Sequence, residues 1–355
     1  MAKLRVLVVE DSVTVRRRLC DVLAADPQIE VVGEAGDGKD AIARCRDLRP
    51  DVVTLDMVLP VMSGLAATEY IMAHFPTPIL IVSASTNRGD LFKTYDALAA
   101  GAVDVLEKPT GDEADDAWER RLIDTVKLVG RIRVITHPRA RRGAPPESSV
   151  APANAPPGGP GGRRLLAIGA STGGPAAVID VLRALPAPCP VPVLFVLHIG
   201  EPFGLAFAEW LDGQTSHHVS YARGGEMLCD IRGRVLMAPP GRHLVVRGQR
   251  LALTSDPERH SCRPSVDVLF ESVAVDCGAA SVACLLTGMG SDGAAGLLAI
   301  RRAGGSTVAQ DEATSVVYGM PREAVRLGAA EAVLPLGEIG RALAALVAAG
   351  AESPS

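Results

Sequence analysis

Short, almost wholly apolar runs recur along this chain, and between them apolar positions return every three or four residues. Over residues 4–110 the runs are LRVLVV, EVVGEA, DVVTLD, PILIVSA and VDVLEK, and the stretches between them are TVRRRLCDVLAA, GKDAIARCRDL, GLAATEYIMAHF and LFKTYDALAAG. A continuous apolar run suits a strand buried on both faces, and three-to-four spacing suits a helix packed on one side. Strands alternating with helices predict an α/β fold with a parallel sheet covered on both faces. One more helix is predicted over about 114–134, where Trp118, Leu122, Ile123, Val126 and Val129 keep near-helical spacing.

The pattern then stops. HPRARRGAPPESSVAPANAPPGGPGGRR, residues 137–164, is rich in Pro, Gly, Ala and Ser and offers little to bury, so it reads as a linker. From 165 a second alternation starts. Its strand candidates are LLAIGA, VPVLFVL, HHVSYA, RVLMAPP, ASVACLLTG, STVAQD and AVLPL, and HLVVRG with RLALTS forms a hairpin expected at a sheet edge. The helix candidates are PAAVIDVLRAL, GLAFAEWLDG, SVDVLFESVAVDC, AAGLLAIRRAG, PREAVRLG and EIGRALAALVAA. The expected organisation is a first α/β domain over 1–125, a helix end and Pro/Gly-rich linker over 126–163, and a second, doubly wound α/β domain with a mostly parallel sheet over 164–350.

Composition narrows the function classes. With 48% apolar residues the chain is globular, and a net charge of −5 gives no general attraction to nucleic acid. The basic clusters VRRRL and HPRARRG fall on a helix face and in the linker. No uncharged apolar run reaches the roughly 18 residues of a membrane span. The first strand meets an acidic pair too soon for a signal peptide. Seven cysteines, an odd number without a C-x-x-C, lie scattered through apolar runs and read as reduced thiols. The expectation is a cytoplasmic protein that neither binds nucleic acid nor inserts into a membrane.

In open α/β sheets the chemistry sits beyond the carboxyl ends of the strands. In the first domain those ends supply Glu10, Asp11, Asp56, Ser83 and Lys108. Three carboxylates on one rim repel one another unless a cation lies among them, and hard oxygen ligands suit Mg²⁺. A lysine and a hydroxyl beside them are suited to hold a phosphoryl group carried by Asp56. Each residue taken alone also reads as a solvated loop position. The set resembles the two-component receiver domain, which is flavodoxin-like with a five-stranded parallel sheet. The resemblance implies that Glu10, Asp11 and Asp56 hold Mg²⁺, that a partner histidine kinase phosphorylates Asp56, that Ser83 and Lys108 bind the phosphoryl group, and that a cis bond precedes Pro109. Val105 stands where that family usually carries an aromatic residue.

In the second domain GASTGG sets Ser171 between Gly169 and Gly173, directly after a strand and before a helix opening at Pro175. The G-x-S-x-G frame reads as a nucleophile turn, a helix cap or a phosphate-binding turn. The lysine of a Walker loop is absent. A serine needs a base. His198 follows the long apolar run VPVLFVL, which places it on the same rim, and His243 is the next candidate. His217 and His218 sit at a strand start, and His74, His137 and His260 read as surface or linker positions. Asp292, in TGMGSDG, reads as a helix cap when alone and as the carboxylate orienting a base when beside Ser171 and His198. The backbone N–H of Thr172 and those of the turn near Met289 are candidate oxyanion donors.

The stretches GASTGGP, APPGRHL, RPSVDVLFESVA, LLTGMGSDGA and AQDEATSVVYGMPREAVRLGAA resemble the catalytic domain of the chemotaxis protein-glutamate methylesterase response regulators. The resemblance covers nearly the whole chain outside the linker. It implies Ser171 as nucleophile, His198 as base, Asp292 as its orienting partner and Met289 in the oxyanion hole. It implies methyl-accepting chemoreceptors as substrate, a chemotaxis histidine kinase as phosphodonor, no cofactor in the catalytic domain, and in some members glutamine deamidation. The alternative is a non-catalytic response regulator that only docks receptors or a kinase. Arg263, Gln310, Asp311 and Ser315 are candidates for packing around the site.

Overall fold

A computed structural model describes residues 3–84, 87–108, 115–132, 134 and 164–348. The chain divides into two units, Met1–Pro146 and Glu147–Ser355. The linker over 137–163, Pro109 with its predicted cis bond, and His137 lie outside the described residues.

The first unit alternates β1 (Leu4–Val9), α1 (Val13–Ala24), β2 (Ile29–Ala35), α2 (Gly38–Leu48), β3 (Val52–Leu55), α3 (Gly64–His74), β4 (Ile79–Ser83), α4 (Arg88–Ala99), β5 (Asp104–Glu107) and α5 (Asp115–Val129). The strands form one parallel sheet in the order β2-β1-β3-β4-β5. Leu7, Val9, Val53, Leu55, Ile79 and Ile81 fill its core. Side chains start the helices where the sequence changes period: Ser12, Asp37, Ser63 and Asn87 each accept a backbone N–H of the first turn. The α5 stripe is buried at Trp118, Leu122, Val126 and Val129, and Trp118 Nε1 donates to the Glu107 carbonyl at 2.7 Å.

The second unit runs β6 (Leu165–Ala170), α6 (Gly174–Ala184), β7 (Val193–Leu197), α7 (Phe207–Gln214), β8 (His218–Tyr221), β9 (Arg234–Met237), β10 (His243–Arg247), β11 (Arg250–Thr254), α8 (Val266–Cys277), β12 (Ser281–Leu285), α9 (Ala294–Arg302), β13 (Ser306–Gln310), α10 (Met320–Arg326), β14 (Ala332–Leu334) and α11 (Leu336–Ala348). Seven strands form a parallel sheet in the order β14-β13-β12-β6-β7-β9-β8. The chain winds from central β6 toward β7 and later returns to its other side at β12, so β6 marks the topological switch point. All six β6 residues are buried, as a central parallel strand requires.

The β10–β11 hairpin differs from its expected place. It is a separate two-stranded sheet and not an edge of the large one. It is anchored to α8 by Val246 N donating to Ser272 Oγ at 3.0 Å and Gly248 N to Asp276 Oδ1 at 2.8 Å. Leu244, Val246 and Leu251 join the core that Val266, Leu269, Phe270 and Val273 supply from α8. Burial against that helix stabilises the hairpin, and an isolated antiparallel bridge between Met227 and Arg250 flanks β11.

Candidate active site

The first unit gathers its carboxylates where β1 and β3 lie side by side, the switch point of its sheet. Glu10, Asp11 and Asp56 bring ligand oxygens within 4.8 Å of one another. Glu10 and Asp56 are buried and Asp11 is exposed. Lys108 Nζ lies 2.7 Å from Glu10 Oε2 and 2.8 Å from Asp56 Oδ2. Burial pushes the Glu10 carboxyl above its usual range, against the pull of Lys108. Burial works against charge on Lys108 too, but the two carboxylates outweigh it and hold its ammonium form. Ser83 is buried at the end of β4, and its carbonyl accepts Lys108 N at 3.0 Å. One lysine against three carboxylates leaves an excess of negative charge on hard oxygen donors, which fits a divalent cation. Val105, partly buried, packs on the domain core.

In the second unit Ser171 and His198 each follow a residue of the paired register Ala170↔Leu197. Parallel neighbours lie about 4.8 Å apart, so the two side chains start from adjacent points of one rim. His198 N donates to Ala170 O at 3.1 Å, which fixes the start of its segment. Ser171 sits in a tight turn. Gly174 N donates to Ser171 O at 2.7 Å, and Gly173 takes φ +76°, where a side chain would meet Val316. Then α6 starts, with Pro175 in its first turn.

Asp292 is 2% exposed, and its carboxylate accepts from five groups. His198 Nε2 lies 2.8 Å from Oδ2, and Val266 N donates to the same oxygen at 2.7 Å. Oδ1 accepts Ser265 Oγ at 2.8 Å, Asp267 N at 3.0 Å and Gly293 N at 3.0 Å. Asp292 therefore does cap a helix end, but that of α8, remote in sequence, while it also engages His198. Burial opposes charge on Asp292, yet His198 and these donors hold its carboxyl below the usual 3.8. Burial also opposes charge on His198, and Asp292 together with Cys262 outweighs it and lifts the ring to about 9.

Thr287 braces the turn at Ser171. Its carbonyl accepts Ser171 N at 3.0 Å, and its Oγ1 donates to Thr172 O at 2.9 Å. Gln310, fully buried, accepts Thr287 N at 2.8 Å and donates to Thr314 O at 2.8 Å. Asp311 Oδ1 accepts Thr314 N at 3.0 Å, and Ser315 Oγ donates to Asp311 O at 2.6 Å. Arg263 turns instead to the Ser255 and Asp256 carbonyls. Gly288 lies against Ser171: a Cβ on it would fall 2.8 Å from Ser171 Cβ. Among the described residues the backbone N–H groups of Thr172 and Met289 donate to no protein acceptor.

His243 is buried and its ring is spent on Pro257 O and Ser265 N, so it is a structural histidine. His217, also buried, bonds Leu182 O. Two residues escaped sequence reasoning. Cys262, scattered with the other thiols in the sequence, has Sγ 3.7 Å from His198 Nδ1. His260, read as surface or linker, has Nε2 3.0 Å from the buried Asp267. Ligand atoms of His260, Asp267 and Asp292 also lie within 4.8 Å of one another. Their carboxylates already accept backbone N–H donors, Gly296 N on Asp267 Oδ1 at 2.7 Å among them, so this cluster is a hydrogen-bond network.

An acidic pocket on a β2-β1-β3-β4-β5 sheet, joined to a serine, histidine and aspartate at the switch point of a larger sheet, defines a signalling protein with a hydrolase-type output. The family model for the response regulator receiver domain matches residues 6–115, and that for CheB methylesterase matches residues 166–343. The chain is 43% identical over 362 residues to the protein-glutamate methylesterase/protein-glutamine glutaminase of Nitrosospira multiformis, spanning 99% of both chains. It is 44% identical over 354 residues to the protein of the same name from Agrobacterium fabrum, spanning 98% of both. The solved CheB methylesterase catalytic domain of Thermotoga maritima matches with TM-score 0.50 and 33% identity, covering 52% of this chain and 99% of that one. The chain belongs to the CheB methylesterase family. Among the described residues no helix is long and apolar enough to cross a membrane.

Proposed function

We propose that this protein hydrolyses glutamate methyl esters on chemoreceptors to glutamate and methanol, with Ser171, His198 and Asp292 as its triad. The observation that carries the reading is the 2.8 Å contact between His198 Nε2 and Asp292 Oδ2, on the rim where Ser171 stands one strand away. Because Nε2 is engaged by Asp292, Nδ1 is the nitrogen that takes the Ser171 proton. Ser171 Oγ then attacks the ester carbonyl. The Thr172 and Met289 N–H groups receive the charge that develops on its oxygen. His198 passes its proton to departing methanol, and water attacks the acyl-serine with His198 again as base. The same steps on a glutamine side chain release ammonia, the second activity in the relatives' name.

The domain boundaries proposed are 1–125 for the receiver, 126–163 for the helix end and linker, and 164–350 for the catalytic domain. In the receiver Glu10, Asp11 and Asp56 would hold Mg²⁺, whose chemistry is to neutralise charge on an incoming phosphoryl group. A histidine kinase phosphorylates Asp56, Ser83 and Lys108 bind the phosphoryl oxygens, and the modification raises esterase activity. The protein works in the cytoplasm, on the cytoplasmic part of its receptors.

The test is methanol release from methylated receptor membranes, with and without Mg²⁺ and a small phosphodonor. Release that rises with phosphodonor, stays unstimulated in Asp56→Asn and vanishes in Ser171→Ala is the expected result. Unchanged release from Ser171→Ala would sink the triad, and full stimulation of Asp56→Asn would sink the control scheme.

A further inference from the structure

Behind His198 the chain makes a turn that the strand pattern does not announce. Arg259 N donates to Cys262 O at 3.2 Å and Cys262 N to Arg259 O at 2.9 Å. The two residues between them are left-handed, His260 at φ +53° and Ser261 at φ +57°. This is the geometry of a type I′ turn, which normally calls for Gly, Asn or Asp. The strain is held by anchors on both sides. Arg259 forks onto Glu271 of α8 at 2.5 and 2.7 Å, and His260 Nε2 meets Asp267 Oδ2 at 3.0 Å. The turn thereby delivers Cys262 Sγ to His198 Nδ1 at 3.7 Å, within range of a hydrogen bond to sulfur.

The positions of the hydrogens follow from the partners. Cys262 Sγ also lies 3.3 Å from the His260 carbonyl oxygen, which can only accept. With the thiol hydrogen directed to that carbonyl, a sulfur lone pair faces Nδ1. On the other side of the ring Nε2 faces Asp292 Oδ2, a carboxylate oxygen that already accepts Val266 N. Both ring nitrogens thus face acceptors, and a ring so placed carries a hydrogen on each.

We propose that Cys262 is a positioning residue that holds His198 in its protonated, resting form, by presenting sulfur to the nitrogen that must be bare to receive the Ser171 proton. This rests on the esterase reading above. Catalysis then requires Nδ1 to give up its hydrogen and turn from sulfur to the serine hydroxyl. The groups that face the ring are Asp292, from the segment before α9, and Cys262, from the turn. Asp267 of α8, with His260 and Arg259 against it, lies one step further, behind Asp292. Glu201, on the ring's own segment, is exposed.

The experiment reads the ring directly. His198 is titrated by NMR in the full-length protein carrying Ser171→Ala, alone and combined with Cys262→Ala or Cys262→Ser. Methanol release is measured against pH in the same cysteine variants with Ser171 intact. Cys262→Ala is expected to lower the midpoint of the ring by about one pH unit, about a tenfold change in the neutral fraction below it. The acid limb of kcat/KM should move the same way and KM should change little. Cys262→Ser, which keeps a smaller acceptor, should fall between. An unmoved midpoint in both folded variants overturns the proposal. So does a uniform loss of kcat at every pH in Cys262→Ala that Cys262→Ser does not rescue. If no variant releases methanol while the midpoint still moves, the esterase reading fails and the role of Cys262 on the ring stands.

Discussion

Asp292 Oδ2 lies 2.8 Å from His198 Nε2, and the same carboxylate closes the N-terminus of α8 through Val266 N and Asp267 N. One side chain therefore orients the His198 ring and holds a helix in place. Asp292→Asn turns one acceptor into a donor among groups that all donate. Methanol release should fall by about 10⁴, the cost of giving a catalytic histidine the wrong partner in a comparable triad. The melting temperature of the catalytic unit should also drop by several degrees, because hydrogen bonds to a buried charge are worth about 1.5–3 kcal/mol each. Ser171→Ala should abolish release with no such drop. Calorimetry on both variants checks this, and equal melting temperatures would remove the structural half of the role.

The protonation state of His198 sets a pH window. Burial opposes charge on the ring, but Asp292 and Cys262 raise it from the usual 6.5 to about 9. A raised histidine contributes stability that is full below about pH 6.5 and is lost as pH rises through about 9. Asp292, held below 3.8, contributes stability that is present above that value and lost as pH falls through its lowered value. With His198 as the proposed base, activity needs the neutral ring and should run opposite to the stability contributed by the histidine, climbing from pH 6.5 toward 9. Parallel profiles of melting temperature and methanol release test this. Release that peaks below pH 6.5 would contradict it.

Lys108 closes the receiver site by touching Glu10 Oε2 at 2.7 Å and Asp56 Oδ2 at 2.8 Å. Removing it leaves two buried carboxylates facing each other. Lys108→Met should lower the melting temperature of the receiver in metal-free buffer by several degrees. Millimolar Mg²⁺ should recover more stability in the variant than in the native protein, since a cation that binds only the folded state stabilises it by mass action. The melting shift is read with and without EDTA. No response to Mg²⁺ in either protein would show that the three carboxylates do not share a cation, and an equal response in both would show that Lys108 does not compete with it.

The rule that chemistry gathers past the carboxyl ends of parallel strands reached Glu10, Asp56, Ser83, Lys108, Ser171 and His198, because each directly follows or closes an apolar run. Asp292 came from the same rule with less force, since a single aspartate before a helix reads first as a cap. The hairpin at 243–254 was legible as a hairpin, but its partner was not. Alternation along a strand says that one face is buried and is silent on whether a sheet or a helix buries it. Cys262 and His260 were illegible for a different reason. Their turn uses left-handed non-glycine residues held by Glu271 and Asp267, contacts that span the sequence and leave no local signature. Gln310 is legible only as a candidate for packing around the site, because its bond to Thr287 N depends on β12 and β13 pairing.

Gly288 sets the distance between the loop carrying Met289 and the turn at Ser171. A Cβ there would fall 2.2 Å from Met320 Sδ, 2.8 Å from Ser171 Cβ and 3.2 Å from Ser171 N. The Met320 thioether can turn aside, since methionine is flexible and adapts to irregular gaps. Ser171 cannot: its N–H is tied to Thr287 O at 3.0 Å and its carbonyl to Gly174 N at 2.7 Å. Gly288→Ala therefore displaces the serine turn or the loop carrying the Met289 N–H, by a few tenths of an ångström to an ångström. Misplacement on that scale costs about 10²-fold in a reaction that depends on alignment. The loss should fall on kcat, because the substrate surface is left in place while the attacking atom and the oxyanion donor move apart. Gly304→Ala, also at a loop glycine but remote from Ser171, serves as the control, with a stability cost and native kcat expected. Native kcat in folded Gly288→Ala would mean that this loop does not bear on the reacting atoms, and would take the Met289 N–H out of the oxyanion site.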